Sequence, residues 1–269
     1  MGSDTFREKV VVLTGASSGI GRQMAYQLAE RGAWLSLAAR NVERLNEVAE
    51  ICRLRGGRAL VVPTDVRERV QCQELVTATI KEFGRIDMLC NNAGITMWAR
   101  FDEMQTFEPF NQIMQVNYFG SLYMTHYALP HLKRGKGRIL VISSVAGKTG
   151  VPLRSGYVAS KHALIGFFDA LRIELEDSEV SVTIVLPDFV ATETRMRAFG
   201  ADGQPMQRSQ IREDKVMTVE TCARMTINAA AKRKREVILS NRGKIGQWIK
   251  LIAPGFIDKI AARAIQRGR

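Results

Sequence analysis

The chain alternates along most of its length between short apolar runs and longer stretches in which apolar residues recur every three or four positions. The short runs predict β-strands, and the longer period predicts helices that bury one face. Several runs are apolar at every position, which is typical of strands in a parallel sheet covered by helices on both sides. The alternation therefore predicts a doubly wound α/β fold.

About seven strands and six crossover helices follow from this pattern. The predicted strands span residues 10–13, 34–39, 58–62, 86–90, 137–143, 180–186 and 235–239. The predicted helices span residues 23–31, 42–55, 67–83, 107–132, 155–176 and 218–233. No linker or repeat divides them, so we expect one domain over residues 1–240. Its long polar stretch, about 193–217, is expected to be a substrate lid because loops of this length in compact domains are usually functional.

Residues 241–269 are expected to form a basic, amphipathic helical extension. The chain carries 39 Lys and Arg against 27 Asp and Glu, a net charge of +12. Residues 231–269 alone hold 11 basic against 2 acidic residues, a net +9, so the rest of the chain is close to neutral. Such an extension either docks on protein, which we favour, or lies on an anionic membrane through residues 245–269.

The charge distribution and the Cys and His residues narrow the remaining classes. A nearly neutral body gives no basic surface for nucleic acid, so we expect none as a partner. The four cysteines are scattered, and His126, His131 and His162 lack ligand spacing, so no metal site is predicted. No apolar run reaches the roughly 18 residues of a membrane span, and no signal peptide precedes the first strand. We expect a cytoplasmic protein, with peripheral membrane contact as the alternative.

A glycine-rich turn joins the first predicted strand to the first helix. Residues 14–21 read T-G-A-S-S-G-I-G. Glycines at this point let the backbone approach a pyrophosphate, whose charge is stabilised by the exposed N–H groups at the start of the helix. A purely structural turn is the alternative interpretation. In a strand-turn-helix context, the motif favours a dinucleotide site in a Rossmann-type sheet.

The end of the second strand indicates which dinucleotide is bound. A carboxylate there would accept hydrogen bonds from a ribose 2′-hydroxyl, whereas an arginine binds a 2′-phosphate. The chain has Arg40 followed by Asn41 and no acid at this point, and Arg22 just after the turn can add a second positive charge. The sequence favours NADP(H) over NAD, and a merely solvated Arg40 is the alternative.

Tyr157 and Lys161 stand four residues apart in a predicted helix, and so on the same face. A tyrosine with a pKa near 10 is a poor acid or base at neutral pH. A fixed positive charge nearby stabilises the phenolate and lowers that pKa. The pair alone also occurs by chance in many helices. Ser144, or its neighbour Ser143, ends the fifth strand and can hydrogen-bond a substrate oxygen.

The glycine turn with a preceding Thr, Asn-Asn-Ala-Gly at 91–94 and Tyr-x-x-x-Lys together resemble the short-chain dehydrogenase/reductase (SDR) family, closest in motif to lipid- and steroid-directed members. The resemblance implies hydride transfer between NADP(H) and an alcohol or ketone. It selects Ser144 over Ser143 by its spacing to Tyr157, and it assigns Asn117 to hold a water that links Lys161 to solvent. It also implies a homodimer or homotetramer that pairs helices 107–132 and 155–176.

The resemblance extends the cofactor site along the chain. Asp65 corresponds to the residue that meets the adenine amino group, although a helix N-cap is the alternative reading of this residue alone. Asp188 departs from the family, which usually has Gly after Pro187. The predicted cofactor residues are Gly15, Ser17, Ser18, Gly19, Ile20, Gly21, Arg40, Asn41, Asp65, Val66, Asn91, Ala93, Gly94, Tyr157, Lys161, Pro187, Val190 and Thr192.

Ser144 and Tyr157 are expected to bind the substrate oxygen, and apolar residues are expected to wall the rest of the pocket. These come from residues 95–101, 145–156 and 193–215 and are Met97, Trp98, Phe101, Leu153, Met196, Phe199 and Met206. Such walls favour an apolar, lipid-like alcohol or ketone. Sugars, acyl thioesters and xenobiotic carbonyls are the alternative substrates, since similar motifs serve them too.

An NADP(H)-sensing regulatory or nucleic-acid-binding protein on the same fold is the competing hypothesis. A sensor has no need of Ser144, Tyr157 and Lys161 together. Their joint presence favours an enzyme.

Overall fold

The computed structural model describes residues 5–207 and 216–266. Its centre is a parallel sheet of seven strands. The strands are β1 (Val10–Thr14), β2 (Trp34–Ala39), β3 (Arg58–Pro63), β4 (Met88–Asn91), β5 (Arg138–Ile142), β6 (Ser181–Leu186) and β7 (Glu236–Ile238). β1 and β4 are buried along their whole length, and β5 and β6 are buried at every residue after the first, as their uninterrupted apolar sequences predict.

The strand order is β3-β2-β1-β4-β5-β6-β7. It reverses between β1 and β4, because the chain first builds outward through β2 and β3 and then crosses back. At such a reversal the two connections diverge and leave a crevice at the carboxyl ends of the strands. The predicted doubly wound fold of seven strands is confirmed.

Helices cover both faces of the sheet. They are α1 (Gly19–Glu30), α2 (Val42–Leu54), α3 (Arg69–Phe83), α4 (Glu108–Met114), α5 (Gly120–Arg134), α6 (Ser155–Glu174), α7 (Val219–Ala231), α8 (Asn241–Ile252) and α9 (Pro254–Gln266). The single helix predicted over 107–132 is α4 and α5, joined by the π-helical turn Gln115–Phe119. A π-turn inserts one extra residue into a turn, which apolar periodicity does not reveal.

The core consists of two apolar layers, one on each face of the sheet. Leu13 and Leu35 belong to the layer beneath α1, α2 and α7. Leu89 and Phe168 belong to the layer beneath α3, α5 and α6. Alternate residues of each strand enter opposite layers, so the sheet is fixed from both sides and holds its carboxyl edge rigid.

The last strand is followed at once by α8 and α9, which form the predicted helical extension. Residues 193–207 of the predicted lid run along the carboxyl edge of the sheet, and Met97 and Phe199 form an isolated bridge there. Residues 208–215 of that lid, and Arg267 in the extension, lie outside the described residues. Within the described ranges, no helix is long and apolar enough to cross a membrane.

Candidate active site

A cavity of about 870 Å³ opens at the carboxyl edge of the sheet, where the strand order reverses. Most of the predicted site residues line it. They are Gly15, Ser17, Ser18, Ile20, Gly21, Arg40, Asn41, Asp65, Val66, Ala93, Gly94, Ser144, Tyr157, Lys161, Pro187, Val190 and Thr192. The structure therefore brings residues from positions 15 to 192 to one place.

The turn between β1 and α1 has a shape that only glycine allows. Gly15 and Gly19 have φ values of +65° and +53°, which L side chains rarely adopt. A Cβ on Gly21 would lie 2.1 Å from the Gly15 carbonyl oxygen, and one on Gly15 would lie 2.9 Å from the Cα of Ala93. The bare backbone leaves a cradle in front of the first turn of α1, and this fits a dinucleotide pyrophosphate.

Thr14 and Asn92 brace this turn from behind. The Thr14 hydroxyl donates to the Cys90 carbonyl at 3.2 Å and accepts from the amide of Asn92 at 3.1 Å. The Asn92 side chain donates to the carbonyls of Thr14 and Gly15 at 2.9 and 3.2 Å. Sequence reasoning did not place Asn92 in the site, although it stands inside the Asn-Asn-Ala-Gly motif.

Asn91 occupies the buried end of β4 rather than the cavity wall. Its side chain donates to the Thr125 hydroxyl at 3.0 Å and so ties the strand to α5. Gly19 is also not part of the wall, but a Cβ on it would meet the Thr192 side chain at 3.4 Å. Both residues shape the site from outside the cavity.

The adenosine end of the cavity contains two arginines and one carboxylate. Arg40 is exposed at the end of β2, and no described residue pairs with it. Asp65 accepts hydrogen bonds from Arg67, from the backbone amide at 3.1 Å and from two guanidinium nitrogens at 2.7–3.1 Å. Burial acts to raise the pKa of Asp65, but the bonds and charge of Arg67 and the charge of Arg40 hold it below its usual value.

Asp65 and Asn41 differ in whether they cap a helix, and the alternative reading of Asp65 as an N-cap is wrong. Asp65 does not cap a helix, because α3 begins at Arg69 with Glu68 in the N-cap position. Asn41 does cap one, since its side chain accepts from the Arg44 amide at 2.8 Å. Arg67, two residues after Asp65, also lines the cavity and was not predicted as a site residue. Nothing in the local sequence shows that its side chain turns back toward Asp65.

Tyr157 and Lys161 lie in the first two turns of α6 and face the cavity together. The Lys161 ammonium donates to the Ile142 carbonyl at 2.8 Å and stands 5.7 Å from the centre of the Tyr157 ring. The side chain is thereby fixed at the carboxyl end of β5. A buried cation beside the phenol has the geometry that an acid–base tyrosine needs.

A second cation, Arg154, was not predicted. Its guanidinium lies 4.2 Å from the centre of the Tyr157 ring and donates to the Thr96 hydroxyl at 2.9 Å. Burial acts to raise the pKa of Tyr157. The charges of Lys161 and Arg154 and hydrogen bonds from Ser144 and Arg154 outweigh burial, so the pKa lies below its usual value.

The two neighbouring serines have different partners. Ser144 helps to lower the pKa of the Tyr157 phenol, donates to the Pro187 carbonyl at 3.4 Å and accepts from the Ala146 amide at 3.1 Å. Ser143 also lines the cavity, but it donates to the Lys161 carbonyl at 3.5 Å. The contact with the phenol favours Ser144 over Ser143 as the residue beside the reacting oxygen.

Asn117 is buried behind the cavity, in the π-helical turn between α4 and α5. Its side-chain amide exchanges two hydrogen bonds with the backbone of Ile95, at 2.9 and 3.0 Å, and donates to the Ser160 hydroxyl at 2.9 Å. Ser160 in turn donates to the Tyr157 carbonyl at 2.7 Å. Asn117 thus links the loop after β4 to the helix that carries Tyr157 and Lys161.

The start of the lid crosses the cofactor cradle. Glu193 pairs with Arg22 at 3.6 Å and with Arg44 at 2.9 Å, so it spans α1 and α2. Arg197 donates to the Ser18 hydroxyl at 2.9 Å. Arg22, expected as a second charge for the cofactor, does not line the cavity. Arg197 does, and it was not predicted.

The apolar walls are fewer than the sequence suggested. Of the seven predicted wall residues, Trp98 and Phe199 line the cavity in the part of the chain that is described. Met97 is fully buried behind it, and Phe101 is 63% exposed on the outside. Each of the three predicted stretches contributes residues to the cavity wall. The side chains of a loop point in different directions, however, and the sequence does not show which of them face the cavity.

Comparisons with known proteins agree with this geometry. The family model for short chain dehydrogenase matches residues 9–202. The chain is 39% identical over 256 residues to "11-beta-hydroxysteroid dehydrogenase-like 4A" of Arabidopsis thaliana, covering 94% of this chain and 83% of that protein. It is 38% identical over 262 residues to "11-beta-hydroxysteroid dehydrogenase A" of Sesamum indicum, covering 95% and 75%.

A solved structure extends the likeness to three dimensions. An alcohol dehydrogenase from the archaeon Thermococcus sibiricus, complexed with 5-hydroxy-NADP, matches 87% of this chain and 96% of its own with a TM-score of 0.73 and 27% identity. The family model covers well over half of the chain, and the relatives are matched over most of their length. The chain belongs to the short-chain dehydrogenase family of nicotinamide-dependent oxidoreductases that act on CH–OH groups.

Proposed function

We propose that the chain interconverts an apolar alcohol and its ketone with NADP(H). The observation that carries this proposal is Tyr157 held between Lys161 and Arg154, beside Ser144, in the same cavity as the glycine cradle. The cofactor, when bound, supplies or accepts the hydride. Tyr157 gives a proton to the ketone oxygen in reduction and takes it back in oxidation, and Ser144 donates a hydrogen bond to the same oxygen.

Lys161 has two roles in this proposal. Its charge stabilises the phenolate of Tyr157, and its ammonium binds the nicotinamide ribose. Asn117 holds the loop after β4 against α6 and keeps a water in reach of Lys161, so that the proton passes to solvent. The segment from Pro187 to Thr192 packs against the nicotinamide.

The proposed preference for NADP(H) rests on the adenosine end of the cavity. Among the described residues Arg40 forms no hydrogen bond or ion pair, although its charge acts on Asp65, and its guanidinium can bind a 2′-phosphate in bidentate fashion. The matched archaeal enzyme was solved with an NADP derivative, which supports the same choice.

The proposed substrate class rests on Trp98 and Phe199, which line the cavity, and on two relatives named 11-beta-hydroxysteroid dehydrogenase A and 11-beta-hydroxysteroid dehydrogenase-like 4A. A flat, apolar alcohol fits such walls. Sugars, acyl thioesters and xenobiotic carbonyls are the competing substrate classes that a panel must include.

The test is NADPH oxidation with a panel of steroid, retinoid, sugar and xenobiotic ketones. We expect turnover with apolar ketones and a fall in kcat of about 10²–10⁴-fold in Tyr157→Phe, with NADPH binding retained. Tyr26→Phe, which changes a tyrosine on α1 outside the cavity, is the matched control. NADPH binding without turnover of any ketone would contradict the proposed enzymatic activity and support the alternative hypothesis of an NADP(H)-sensing protein.

We propose a homodimer or homotetramer that pairs the surfaces of α5 and α6. Aromatic side chains cluster where the π-helical turn before α5 meets α6, with Tyr118 and Phe119 at 5.1 Å and Tyr118 and Phe167 at 6.0 Å between ring centres. On α6, Ile173 is 69% exposed. Sedimentation velocity tests the assembly, and a monomer at micromolar concentration would contradict it.

The described part of the extension, residues 241–266, contacts its own domain. Ile257 is buried, and Lys250 donates to the Lys148 carbonyl. Its remaining apolar face is exposed and consists of Ile245, Trp248, Leu251, Ile252 and Phe256. We propose that this face contacts anionic membranes peripherally. Co-sedimentation with phosphatidylserine vesicles, reduced in Trp248→Ser and absent with phosphatidylcholine alone, is expected, and no binding to either would contradict it.

A further inference from the structure

Asp188 stands where the family usually has glycine, and the extension explains how it is accommodated. Its backbone is not left-handed, so a side chain adds no strain there. The carboxylate accepts two hydrogen bonds in parallel from Arg242, at 3.1 Å from Nε and 2.9 Å from Nη2, and one from the Ser240 hydroxyl at 2.9 Å. The Phe189 amide also donates to the carboxylate, at 3.0 Å. The Asp188 side chain is only 13% exposed, so four donors satisfy a largely buried charge.

The residues beside Asp188 are those that hold the catalytic serine. The Pro187 carbonyl accepts from the Ser144 hydroxyl at 3.4 Å and from the Val145 amide at 3.0 Å. Asp188 and Phe189 both line the cavity, and the Arg242 guanidinium lies 5.8 Å from the centre of the Phe189 ring. A shift of Asp188 would therefore move Pro187 and with it the position of Ser144.

The first turn of α8 is packed against the same two loops. Ser240 caps α8 by accepting from the Gly243 amide at 3.0 Å while it donates to Asp188. A Cβ on Gly243 would lie 2.9 Å from the Val145 side chain and 2.8 Å from that of Ile238. Glycine at this point lets the helix start directly behind the loop that follows Ser144.

We propose that Arg242, a residue of the extension, is a positioning residue for the nicotinamide end of the active site. Through Asp188 it holds the segment from Pro187 to Thr192 in the place where the nicotinamide packs, and it keeps the Asp188 carboxylate neutralised beside an anionic cofactor. This inference rests on the proposed role of that segment in cofactor binding. The first turn of the extension then supports the active site, while its exposed apolar face remains available for the proposed membrane contact.

The test is a double-mutant cycle of Arg242→Gln, Asp188→Asn and both together in the full-length chain. The readouts are the NADPH dissociation constant from fluorescence quenching, KM and kcat for NADPH, and the Tm. Lys244→Gln is the matched control, since it removes an equal charge from an exposed position two residues away that forms no hydrogen bond with Asp188. Arg242→Lys keeps the charge but cannot bond in bidentate fashion.

Arg242→Gln is expected to raise the NADPH dissociation constant and KM about five- to tenfold, with kcat changed less. Arg242→Lys should recover part of this loss, and Asp188→Asn/Arg242→Gln should be no worse than Arg242→Gln. Equal NADPH affinity in Arg242→Gln and Lys244→Gln, or additive losses in the double variant, would overturn the proposal. A fall in Tm without a change in affinity would also overturn it. Because binding is measured without turnover, absence of activity would count against the proposed function alone.

Discussion

The adenosine and nicotinamide ends of the cavity are built from contacts of different range along the chain. At the adenosine end, Asp65 is held by Arg67, two residues away. At the nicotinamide end, Asp188 is held by Arg242, 54 residues away, across the boundary to the extension. Local contacts recur as motifs, whereas distant contacts exist only once the sheet has closed. The Asp65 contact therefore depends on two neighbouring residues, whereas the Asp188 contact depends on the whole fold.

Gly21→Ala should weaken cofactor binding more than any other change considered below, and it tests whether binding depends on the turn between β1 and α1. The new Cβ would lie 2.1 Å from the Gly15 carbonyl oxygen, so the turn must move. Strain of about 3 kcal/mol would weaken NADPH binding about 100-fold. Isothermal titration with NADPH measures the loss.

Gly166→Ala is the control for this variant. Gly166 is exposed in the middle of α6, and its Cβ would meet no atom within 4 Å. NADPH affinity should stay at the level of the unmodified chain, and stability should rise slightly because Ala favours a helix. Near-normal affinity in Gly21→Ala would show that the cradle does not depend on the turn's shape.

The same contrast shows how far the sequence predicts the structure. Uninterrupted apolar strands and the glycine turn are local patterns, so the sheet and the cradle could be predicted. Tyr157 and Lys161 share a helix, so their joint direction also follows from periodicity. Arg154 lies three residues before Tyr157, yet its role depends on Thr96, 58 residues earlier. The role of Arg242 depends in the same way on Asp188, in the loop after β6, and no sequence pattern near Arg242 indicates that contact.

Arg154→Gln tests a long-range contact at the nicotinamide end through the pH dependence of the reaction rate. Alcohol oxidation needs the phenolate of Tyr157, so its rate rises with pH through the lowered pKa; ketone reduction needs the phenol and falls over the same range. Removal of the Arg154 charge should raise that pKa and move both limbs to higher pH. The kcat/KM profiles in both directions measure the shift.

Arg224→Gln serves as the comparison for this pH profile. Arg224 is exposed on α7 and does not line the cavity, so the same loss of charge there should leave both limbs in place. Superimposable profiles for Arg154→Gln and the unmodified chain would mean that Lys161 and Ser144 set the phenol's acidity without Arg154.

Arg40→Asp tests whether a single residue at the adenosine end sets the preference for NADPH over NADH. A carboxylate at the end of β2 repels a 2′-phosphate and accepts from a 2′-hydroxyl, so the ratio of kcat/KM for NADPH over NADH should fall at least tenfold, about 1.4 kcal/mol. Arg224→Asp, with the same change of charge on another surface, should leave the ratio unchanged. An unaltered ratio in Arg40→Asp would assign the 2′-phosphate to Arg67 instead.

The smallest effect separates a serine hydroxyl that serves only stability from one that also serves the site. The Ser178 hydroxyl, outside the cavity, donates to the Leu175 carbonyl at 2.7 Å and accepts from the Val180 amide at 3.4 Å. The Ser240 hydroxyl caps α8 but also donates to Asp188. Each change to Ala should cost about 1 kcal/mol of unfolding free energy and lower the Tm by about 2–4 °C. Only Ser240→Ala should also raise the KM for NADPH, about two- to threefold, because it alone loosens Asp188. Equal KM values in the two variants, at equal loss of Tm, would mean that the start of α8 supports the fold without reaching the nicotinamide end.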